Sequence, residues 1–244
     1  MTKTEYLTLG EVAASFGWTP RFVERLAVGG KLPGEELAGD WRFRRDELLD
    51  WLDQKVQTLD AARVAELEHK LEAELAADGL LTRPHPDVLT ARLQPAGIDL
   101  DLAAEGKAAV LRALVDVARR TELVLDEQTL HTSILEREAL CSTALPGGVA
   151  IVHPRRPLPA AVRDSLLCFA RTRKPVPFGA EDGQPTQLFF LLVAKHDRTH
   201  LHALARLVRV LQGGTIRALR AAPDPDAMLA ILRAREKEID AASV

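Results

Sequence analysis

His153 is the side chain whose surroundings in the sequence point most directly to chemistry. It follows an apolar run, Val149 to Val152, and is followed by the basic, proline-containing residues 154–157. A histidine ring titrates near neutral pH, so one of its nitrogens can attack an electrophile, exchange a proton or bind a metal ion. We expect this ring to be displayed on a rigid loop at the end of a strand rather than sunk in a core.

Two further histidines, His200 and His202, lie at the predicted start of a helix, in the segment Asp197 to His202. Residues two apart on a helix point to different sides, so at most one of the pair can share a site with His153. A helix start also presents free backbone N–H groups and the positive end of the helix dipole, which favour an anion. We expect His202 to belong to the helical core.

Other kinds of site are weaker interpretations of these residues. A metal centre would use His153, His196 and His200, but no carboxylate or cysteine completes a recognisable ligand spacing, so we predict no metal and no cofactor. A hydrolase would pair Ser142 with His153, but the sequence has no GxSxG motif and no acid that can be assigned. A nucleotide-binding GxxxxGK or GxGxxG loop is also absent.

The elements that must position these histidines alternate between strand and helix patterns, which indicates an α/β fold class. Ile98 to Leu102 predicts one strand. The compact apolar runs Val149 to Val152, Ser165 to Phe169 and Leu188 to Val193 predict central strands of a sheet covered on both sides. Helical spacing of apolar residues, or helix signals, predict helices over about 107–119, 126–136, 198–211, 215–220 and 225–235.

Several segments of this region together resemble the IIA domain of the fructose, mannitol and nitrogen-regulatory branch of the bacterial sugar phosphotransferase system. They are Glu136 to Leu140 with Ser142-Thr143, Gly148 to Arg155, Pro177-Phe178 with Asp182 to Pro185, and Thr199 to His202. The segments occur in the order of the family, and the resemblance runs from about Asp87 to Asp240. It implies an α/β domain with a mixed sheet and helices on both faces.

The resemblance also implies roles for individual residues. His153 would be the phosphoryl acceptor, His200 its nearby partner histidine and Arg137 the cation facing the phosphoryl group. Beside these, the positive charge of Arg155 makes it a candidate substrate-binding residue that could stabilise the phosphoryl group. These roles suit the chemistry, because a neutral histidine nitrogen is available at cytoplasmic pH and phosphoryl transfer needs mainly positioning and charge stabilisation. The sequence departs from the family where Val152 replaces a common proline and where residues 154–157, Pro-Arg-Arg-Pro, replace a Gly or Ala loop.

The first 57 residues predict a small winged helix-turn-helix domain. Thr8 to Glu11 has the pattern of a capping box before a helix that ends at Phe16. Gly17 can supply a tight turn, and Thr19-Pro20 supplies an N-cap and a first-turn proline for a second helix to about Val28.

A wing and a third helix are predicted next. Leu32-Pro33 predicts the start of a short strand, Gly39-Asp40 a hairpin turn, and the alternation of Trp41 to Arg44 a wing strand. Asp46 to Leu52 predicts the third helix.

The second helix has one apolar and one charged face. We expect Phe22 and Leu26 to face inward and Arg21, Glu24 and Arg25 to face outward, because residues four apart share a face. The outward face is a candidate recognition surface.

Residues 6–53 resemble the helix-turn-helix domain of the excisionase family, which is related to the MerR-type winged helix. The resemblance implies that the second helix enters the major groove of DNA while the wing touches backbone phosphate. The DNA contacts that it implies are Arg21, Arg25, Lys31, Arg42, Arg44 and Arg45. Glu35 and Glu36 put negative charge where members often carry a basic or neutral stretch, and the alternative interpretation is a winged fold used for protein contacts or with weak DNA affinity.

Residues 58–86 predict a helical linker between a first unit, 1–57, and a second unit, 87–244. Its apolar stripe of Val64, Leu67, Leu71 and Leu75 either packs on its own chain or pairs two chains in a short coiled coil through residues 59–77, which would give a homodimer. A turn-rich break at Pro84 and Pro86 precedes the second unit, which begins near Asp87.

The composition, with 47% hydrophobic and 27% charged residues, is that of an ordinary globular protein. The net charge is −3 and none of the three segments is strongly basic, so nucleic-acid binding must come from the arrangement of charges. No apolar stretch is long enough for a membrane helix, and no signal-peptide pattern opens the chain, so we expect no membrane contact and a cytoplasmic protein. The two cysteines, Cys141 and Cys168, are too few for a disulfide framework and are expected to be reduced and partly buried.

Together these patterns predict a regulator in which a IIA-like domain accepts a phosphoryl group on His153 from an HPr-like phosphocarrier, and the helix-turn-helix domain reports that state to DNA. If active, the second unit is a phosphohistidine phosphotransferase component. The alternative is a IIA phosphocarrier that passes phosphate to a separate IIB partner and uses the helix-turn-helix for protein contacts. A degenerate sensor without chemistry is the third possibility.

Overall fold

The computed structural model describes residues 6–16, 18–56, 61–77 and 89–242. Residue contacts divide the chain into two compact units, 1–83 and 84–244, so the predicted linker helix falls within the first unit. Three predicted features lie outside the described residues: the turn at Gly17, the break at Pro84 and Pro86, and the start of the second unit near Asp87.

The first unit has a three-stranded antiparallel sheet and a set of short helices. Its strands are β1 (Tyr6–Thr8), β2 (Glu35–Leu37) and β3 (Asp40–Arg44), with β3 in the middle. Its helices are α1 (Leu9–Phe16), α2 (Pro20–Val28), α3 (Arg45–Lys55) and α4 (Ala61–Ala77). The predicted helix-turn-helix with a wing is therefore present, and β1 is a strand that the sequence patterns did not predict.

Side-chain caps explain where α1 and α2 begin. The backbone N–H of Thr8 donates to Glu11 Oε2 at 2.8 Å, and the N–H of Glu11 donates to Thr8 Oγ1 at 3.2 Å, which confirms the capping box. Thr19 Oγ1 accepts the N–H of Phe22 at 3.3 Å, and Pro20 opens α2 as predicted.

The inward face of α2 is rotated by one residue from the prediction. Val23 and Ala27 are its buried residues, whereas Phe22 and Leu26 are only half-buried. The expected inward position of Phe22 and Leu26 is therefore corrected. The Phe22 ring instead packs edge-on against Trp18, with centroids 5.3 Å apart.

The wing hairpin turns one residue earlier than predicted. The strand expected from Leu32-Pro33 starts at Glu35, and the two-residue turn is Ala38-Gly39 rather than Gly39-Asp40. Ala38 and Gly39 have φ values of 53° and 85°, which a two-residue turn matching the twist of the strands requires at both positions.

Helix α4 buries its apolar stripe within this single chain. Val64, Leu67, Leu71 and Leu75 are each at most 3% exposed, and α4 packs against α1. Of the two interpretations of the stripe, this burial favours packing on its own chain over a coiled coil between two chains. Residues 59 and 60 of the predicted dimer segment lie outside the described ranges.

The second unit is a mixed five-stranded sheet with helices on both faces. The strands are β4 (Ile98–Leu102), β5 (Ala144–Leu145), β6 (Val149–Val152), β7 (Leu166–Val176) and β8 (Thr186–Val193). Their order is β4-β7-β8-β6-β5, with β4 parallel to β7 and β6 parallel to β8. The helices are α5 (Lys107–Arg119), α6 (Glu127–Leu140), α7 (Asp197–Val210), α8 (Thr215–Ala221) and α9 (Pro225–Ala241).

The three predicted central strands, β6, β7 and β8, do lie in the middle of the sheet. Alternate residues of a strand point to opposite faces. Phe189 and Leu191 of β8 join the core formed with α5 and α6, while Phe190 and Leu192 face the other side, and all four are at most 1% exposed. The sheet is therefore buried on both faces, which explains its continuous apolar runs.

A buried carboxylate ties the beginning of the described second unit to its last helix. Glu236 of α9 accepts hydrogen bonds from the backbone N–H groups of Leu89 and Thr90, at 2.8 and 3.2 Å, and from the Thr90 hydroxyl. Arg206 of α7 lies 3.8 Å from the same carboxylate. Within the described ranges, no helix combines the length and the apolar character needed to cross a membrane.

Truncation of the α4 stripe tests whether it packs within one chain. We expect Leu71→Ala to lower the free energy of unfolding by about 2–5 kcal/mol, because it leaves a cavity in a buried site. Urea unfolding at several protein concentrations measures this loss, with the exposed His69→Ala on the same helix as the control. A melting temperature that rises steeply with protein concentration in the wild type, and no longer in Leu71→Ala, would contradict packing within one chain.

Candidate functional site

His153 follows β6 directly, at the point where this central strand leaves the sheet. Its ring is fully buried, so the expected exposed display on a loop is corrected. Each of the two ring nitrogens contacts a protein group inside the domain, which holds the ring there. Nδ1 lies 2.7 Å from the backbone oxygen of Ile151, and Nε2 accepts a hydrogen bond from Arg137 Nε at 3.1 Å.

These two contacts determine the protonation state that the ring adopts. A carbonyl oxygen can only accept a hydrogen bond, so Nδ1 must carry a proton. A guanidinium N–H can only donate, so Nε2 must offer its lone pair. The arrangement favours the neutral ring with its proton on Nδ1 and a lone pair on Nε2.

Arg137 is held at the C-terminal end of α6, where the helix stops and the chain turns towards β5. Its side chain is only 3% exposed, and its Nη1 donates to the backbone oxygen of Cys141 at 3.1 Å. The Cys141 sulfur lies 3.4 Å from the same nitrogen. A buried guanidinium fixed in this way can supply positive charge beside His153.

The two cysteines differ from each other in burial. Cys141 is exposed, contrary to the expectation of partial burial, and Cys168 is buried in β7. Burial raises the pKa of the Cys168 thiol to about 12, so this thiol stays protonated and unreactive.

His200 is the second histidine of the site, in the first turn of α7. Its ring centroid lies 5.1 Å from that of His153, and the side chain is buried. We call His153, Arg137 and His200 the His153 site. Arg155, the fourth predicted residue, is exposed two residues beyond His153.

His202 lies on α7 in the core, as predicted, and only one histidine of the pair shares the site. Burial, with Arg206 and Arg92 nearby, lowers the pKa of His202 to about 3. No described hydrogen-bond partner contacts its Nε2. This histidine is therefore neutral at any pH near 7.

The predicted DNA-contacting residues of the first unit form two groups. Arg21, Arg25 and Lys31 are exposed. Arg42 and Arg44 of the wing, and Arg45 at the start of α3, are half-buried. The guanidinium groups of Arg42 and Arg44 form ion pairs of 3.9 and 3.8 Å with the carboxylates of Asp40 and Glu47 respectively.

A groove borders α2 on the side of α4. It has a volume of about 630 Å³, and Arg25 and Arg63 place their guanidinium groups 5.2 and 4.6 Å from the centre of the Phe22 ring. Glu35 and Glu36 are exposed on β2, so the acidic stretch noted in the sequence lies on the surface of the wing.

Residues 92–235 match the family described as phosphoenolpyruvate-dependent sugar phosphotransferase system, EIIA 2. The chain belongs to this family. The stretch covers more than half of the sequence and contains the whole His153 site. Residues 6–56 match a helix-turn-helix domain family, so both resemblances identified in the sequence are confirmed.

Similar proteins share the IIA region. A nitrogen regulatory protein of Bradyrhizobium diazoefficiens is 35% identical over 148 residues, which are 59% of this chain and 94% of that protein. The fructose-specific EIIABC component of Bacillus subtilis is 32% identical over 143 residues, 57% of this chain but only 22% of that longer protein. The crystal structure of the nitrogen regulatory protein IIA-Ntr from Neisseria meningitidis superimposes with a TM-score of 0.53 at 31% identity, over 59% of this chain and 97% of that one.

The structure of the IIA domain adds two residues that the sequence patterns did not single out. Lys107 opens α5 and forms a 2.6 Å ion pair with Glu138, whose side chain is 3% exposed. Glu138 lies inside the segment Glu136 to Leu140 that resembles the family, so the sequence shows a carboxylate next to Arg137. The sequence does not show that Lys107 pairs with it, because only the folded chain brings the start of α5 against the end of α6.

Acid destabilisation tests the burial of His202. Because the pKa of His202 is about 3 in the folded chain and 6.5 when the side chain is fully hydrated, the unfolded chain binds an extra proton between these values. The stability that neutral His202 contributes is thus present above pH 6.5 and is lost as the pH falls towards 3. Urea unfolding at pH 7 and pH 5 should give the wild type a loss about 2 kcal/mol greater than that of His202→Leu.

The control for this measurement is Leu204→Ala on the same helix, which removes buried apolar atoms and no titrating group. It should lower stability by a similar amount at both pH values, leaving the wild-type dependence on pH intact. An unchanged pH dependence in His202→Leu would contradict the assigned pKa.

Proposed function

We propose that the IIA domain accepts a phosphoryl group on Nε2 of His153 from the phosphohistidine of an HPr-like phosphocarrier. The observation that carries this proposal is the pair of contacts from the Ile151 oxygen and Arg137 Nε, which favour a proton on Nδ1 and a lone pair on Nε2. A histidine nucleophile in phosphoryl transfer needs this lone pair and a fixed direction of attack.

In the transfer step, the Nε2 lone pair forms a bond to phosphorus while the donor's P–N bond breaks, and the donor nitrogen keeps that electron pair. Positive charge develops on the His153 ring, and the Ile151 oxygen stabilises it by accepting from Nδ1–H. Arg137 then donates to the phosphoryl oxygens in place of Nε2, and its charge offsets theirs. His200, whose ring centroid lies 5.1 Å from that of His153, would supply a further donor to the same oxygens.

We further propose that the helix-turn-helix domain binds DNA and that phosphorylation of the IIA domain changes this binding. Exposed Arg21 and Arg25 on α2 support it, as does the match of residues 6–56 to a helix-turn-helix family. The nitrogen regulatory relatives support a regulatory role rather than transport. The second candidate, a carrier that passes phosphate to a separate IIB partner, is supported by the similarity to a fructose-specific EIIABC component.

Phosphoryl transfer is tested with phosphoenolpyruvate, enzyme I and HPr, and the product is measured by intact mass. The wild type should gain one acid-labile phosphoryl group, and His153→Ala should gain none while keeping its fold by circular dichroism. Arg137→Ala and His200→Ala should still be labelled, but about 100- to 1,000-fold more slowly, because they stabilise charge without forming the bond.

The matched control is His131→Ala, which removes a histidine of α6 outside the His153 site and should be labelled at the wild-type rate. Labelling that survives in His153→Ala, or a wild type that takes no phosphate from a competent donor, would rule out the proposed acceptor. Transfer onward to an added IIB protein would support the carrier function.

DNA binding is tested by selecting duplexes from a random pool at low salt with the full chain. The selected duplex should bind more weakly as salt rises, because phosphate contacts release counterions. The double variant Arg21→Ala, Arg25→Ala should bind more weakly, by about 1–3 kcal/mol for each arginine that reads a base.

The control Arg217→Ala, Arg233→Ala removes the same charge from exposed positions of the IIA domain and should bind as the wild type does. Selection that enriches no sequence would favour the interpretation that the winged domain makes protein contacts.

A further inference from the structure

Glu138 is a buried carboxylate one residue beyond Arg137, and nothing in the transfer step above uses it. Its Oε2 accepts the backbone N–H of Thr143 at 3.1 Å and the Thr143 hydroxyl at 2.6 Å. Its Oε1 forms the 2.6 Å ion pair with Lys107 Nζ. Glu138 thus joins the end of α6 to the residue that precedes β5.

Thr143 continues this line of hydrogen bonds towards the His153 site. Its backbone oxygen accepts the N–H of Ile151 at 3.1 Å. The oxygen of the same Ile151 lies 2.7 Å from His153 Nδ1. A series of hydrogen bonds, joined through the backbones of Thr143 and Ile151, therefore connects Glu138 to His153.

The same turn of α6 reaches the histidine ring from both sides. Arg137 donates to Nε2 directly, whereas Glu138 acts on Nδ1 through the backbone of Thr143 and Ile151. Consecutive helix residues point about 100° apart, so the two side chains can serve opposite ends of one ring. Any shift of this turn would disturb both contacts together.

Lys107 holds the oxygen of the Glu138 carboxylate that Thr143 does not bind most closely. Its Nζ also donates to the backbone oxygen of Phe178 at 3.0 Å, an oxygen that accepts the Ser142 hydroxyl at 2.9 Å as well. The buried carboxylate is therefore paired with a cation and hydrogen-bonded, which offsets the cost of burying it.

We infer that Glu138 is a positioning residue for phosphoryl transfer: through Thr143 and Ile151 it holds His153 in the form with its proton on Nδ1, and Lys107 holds Glu138. The inference rests on the proposed function for its effect on rate. Its effect on the ring proton is independent of that function and can be measured without a donor.

The test compares the wild type with Glu138→Gln in the full chain labelled with ¹⁵N-histidine. Nitrogen chemical shifts distinguish the two neutral forms of an imidazole, and we expect the wild-type His153 to carry its proton on Nδ1. Glu138→Gln should raise the population with the proton on Nε2. It should also lower the rate of labelling by HPr about 10- to 100-fold, the size of the loss seen when a partner that orients a metal-binding histidine is removed.

The control is Glu136→Gln, which changes an exposed carboxylate of the same helix and should leave both the spectrum and the rate unchanged. If Glu138→Gln fails to fold, Thr143→Val removes one hydroxyl at nearly constant volume and should shift the ring proton in the same direction. In the double variant Glu138→Gln, Lys107→Met, the cation left unpaired by the first substitution is also removed. Its stability should therefore recover, whereas the proton of His153 should stay displaced from Nδ1.

An unchanged His153 spectrum in folded Glu138→Gln and in Thr143→Val would overturn the inference, and a loss of melting temperature alone would indicate a structural role only. A third outcome separates the two claims. If the proton lies on Nδ1 in the wild type and Glu138→Gln moves it to Nε2, but HPr labels neither protein, the positioning role holds and the proposed function fails.

Discussion

The hydrogen bond between His153 Nδ1 and the backbone oxygen of Ile151 is the contact on which the proposed chemistry depends. It is 2.7 Å long and is made by a residue only two positions away, so it needs a particular bend of the chain as β6 ends. Because the acceptor is a carbonyl, it favours the form of the ring with a proton on Nδ1, and the lone pair then lies on Nε2. Arg137, approaching from α6, meets that nitrogen with a donor.

Contacts with the surrounding fold hold β6 and the turn before it in place, and thereby fix this bend of the chain. β6 lies between β8 and β5: β8 pairs with all four residues from Val149 to Val152, β5 pairs with Val149 and Ala150, and all four side chains are fully buried. Asp182 accepts the N–H of Gly147 at 2.9 Å, and Arg220 donates to the Gly147 oxygen at 2.7 Å, which fixes the turn that leads into β6. Gly147 and Gly148 both have positive φ, a conformation that side-chain-bearing residues adopt at a cost. The strand therefore fixes the position of His153, and Arg137 in the last turn of α6 and His200 in the first turn of α7 lie beside it.

The sequence predicted the parts of this arrangement that depend on local patterns. β4, α5 and β6 have the predicted bounds, and the capping box at Thr8 and the proline start of α2 are present. Contacts between distant segments were harder to predict. β7 runs on to Val176 because pairing with β8 continues beyond the apolar run, and the wing turns at Ala38 although turn preferences favour Gly, Asn or Asp at positive φ. The burial of His153 and the Lys107–Glu138 pair follow from tertiary packing, which no spacing rule encodes.

The most direct measurement of the central claim is the identity of the nitrogen that carries the phosphoryl group. Protein labelled by an HPr-type donor can be kept at alkaline pH, where phosphohistidine survives, and examined by ³¹P and ¹⁵N NMR. The contacts at Ile151 and Arg137 predict a single phosphohistidine, at His153, with the phosphoryl group on Nε2 and a proton on Nδ1. A phosphoryl group on Nδ1 of His153, or on His200, would contradict the account.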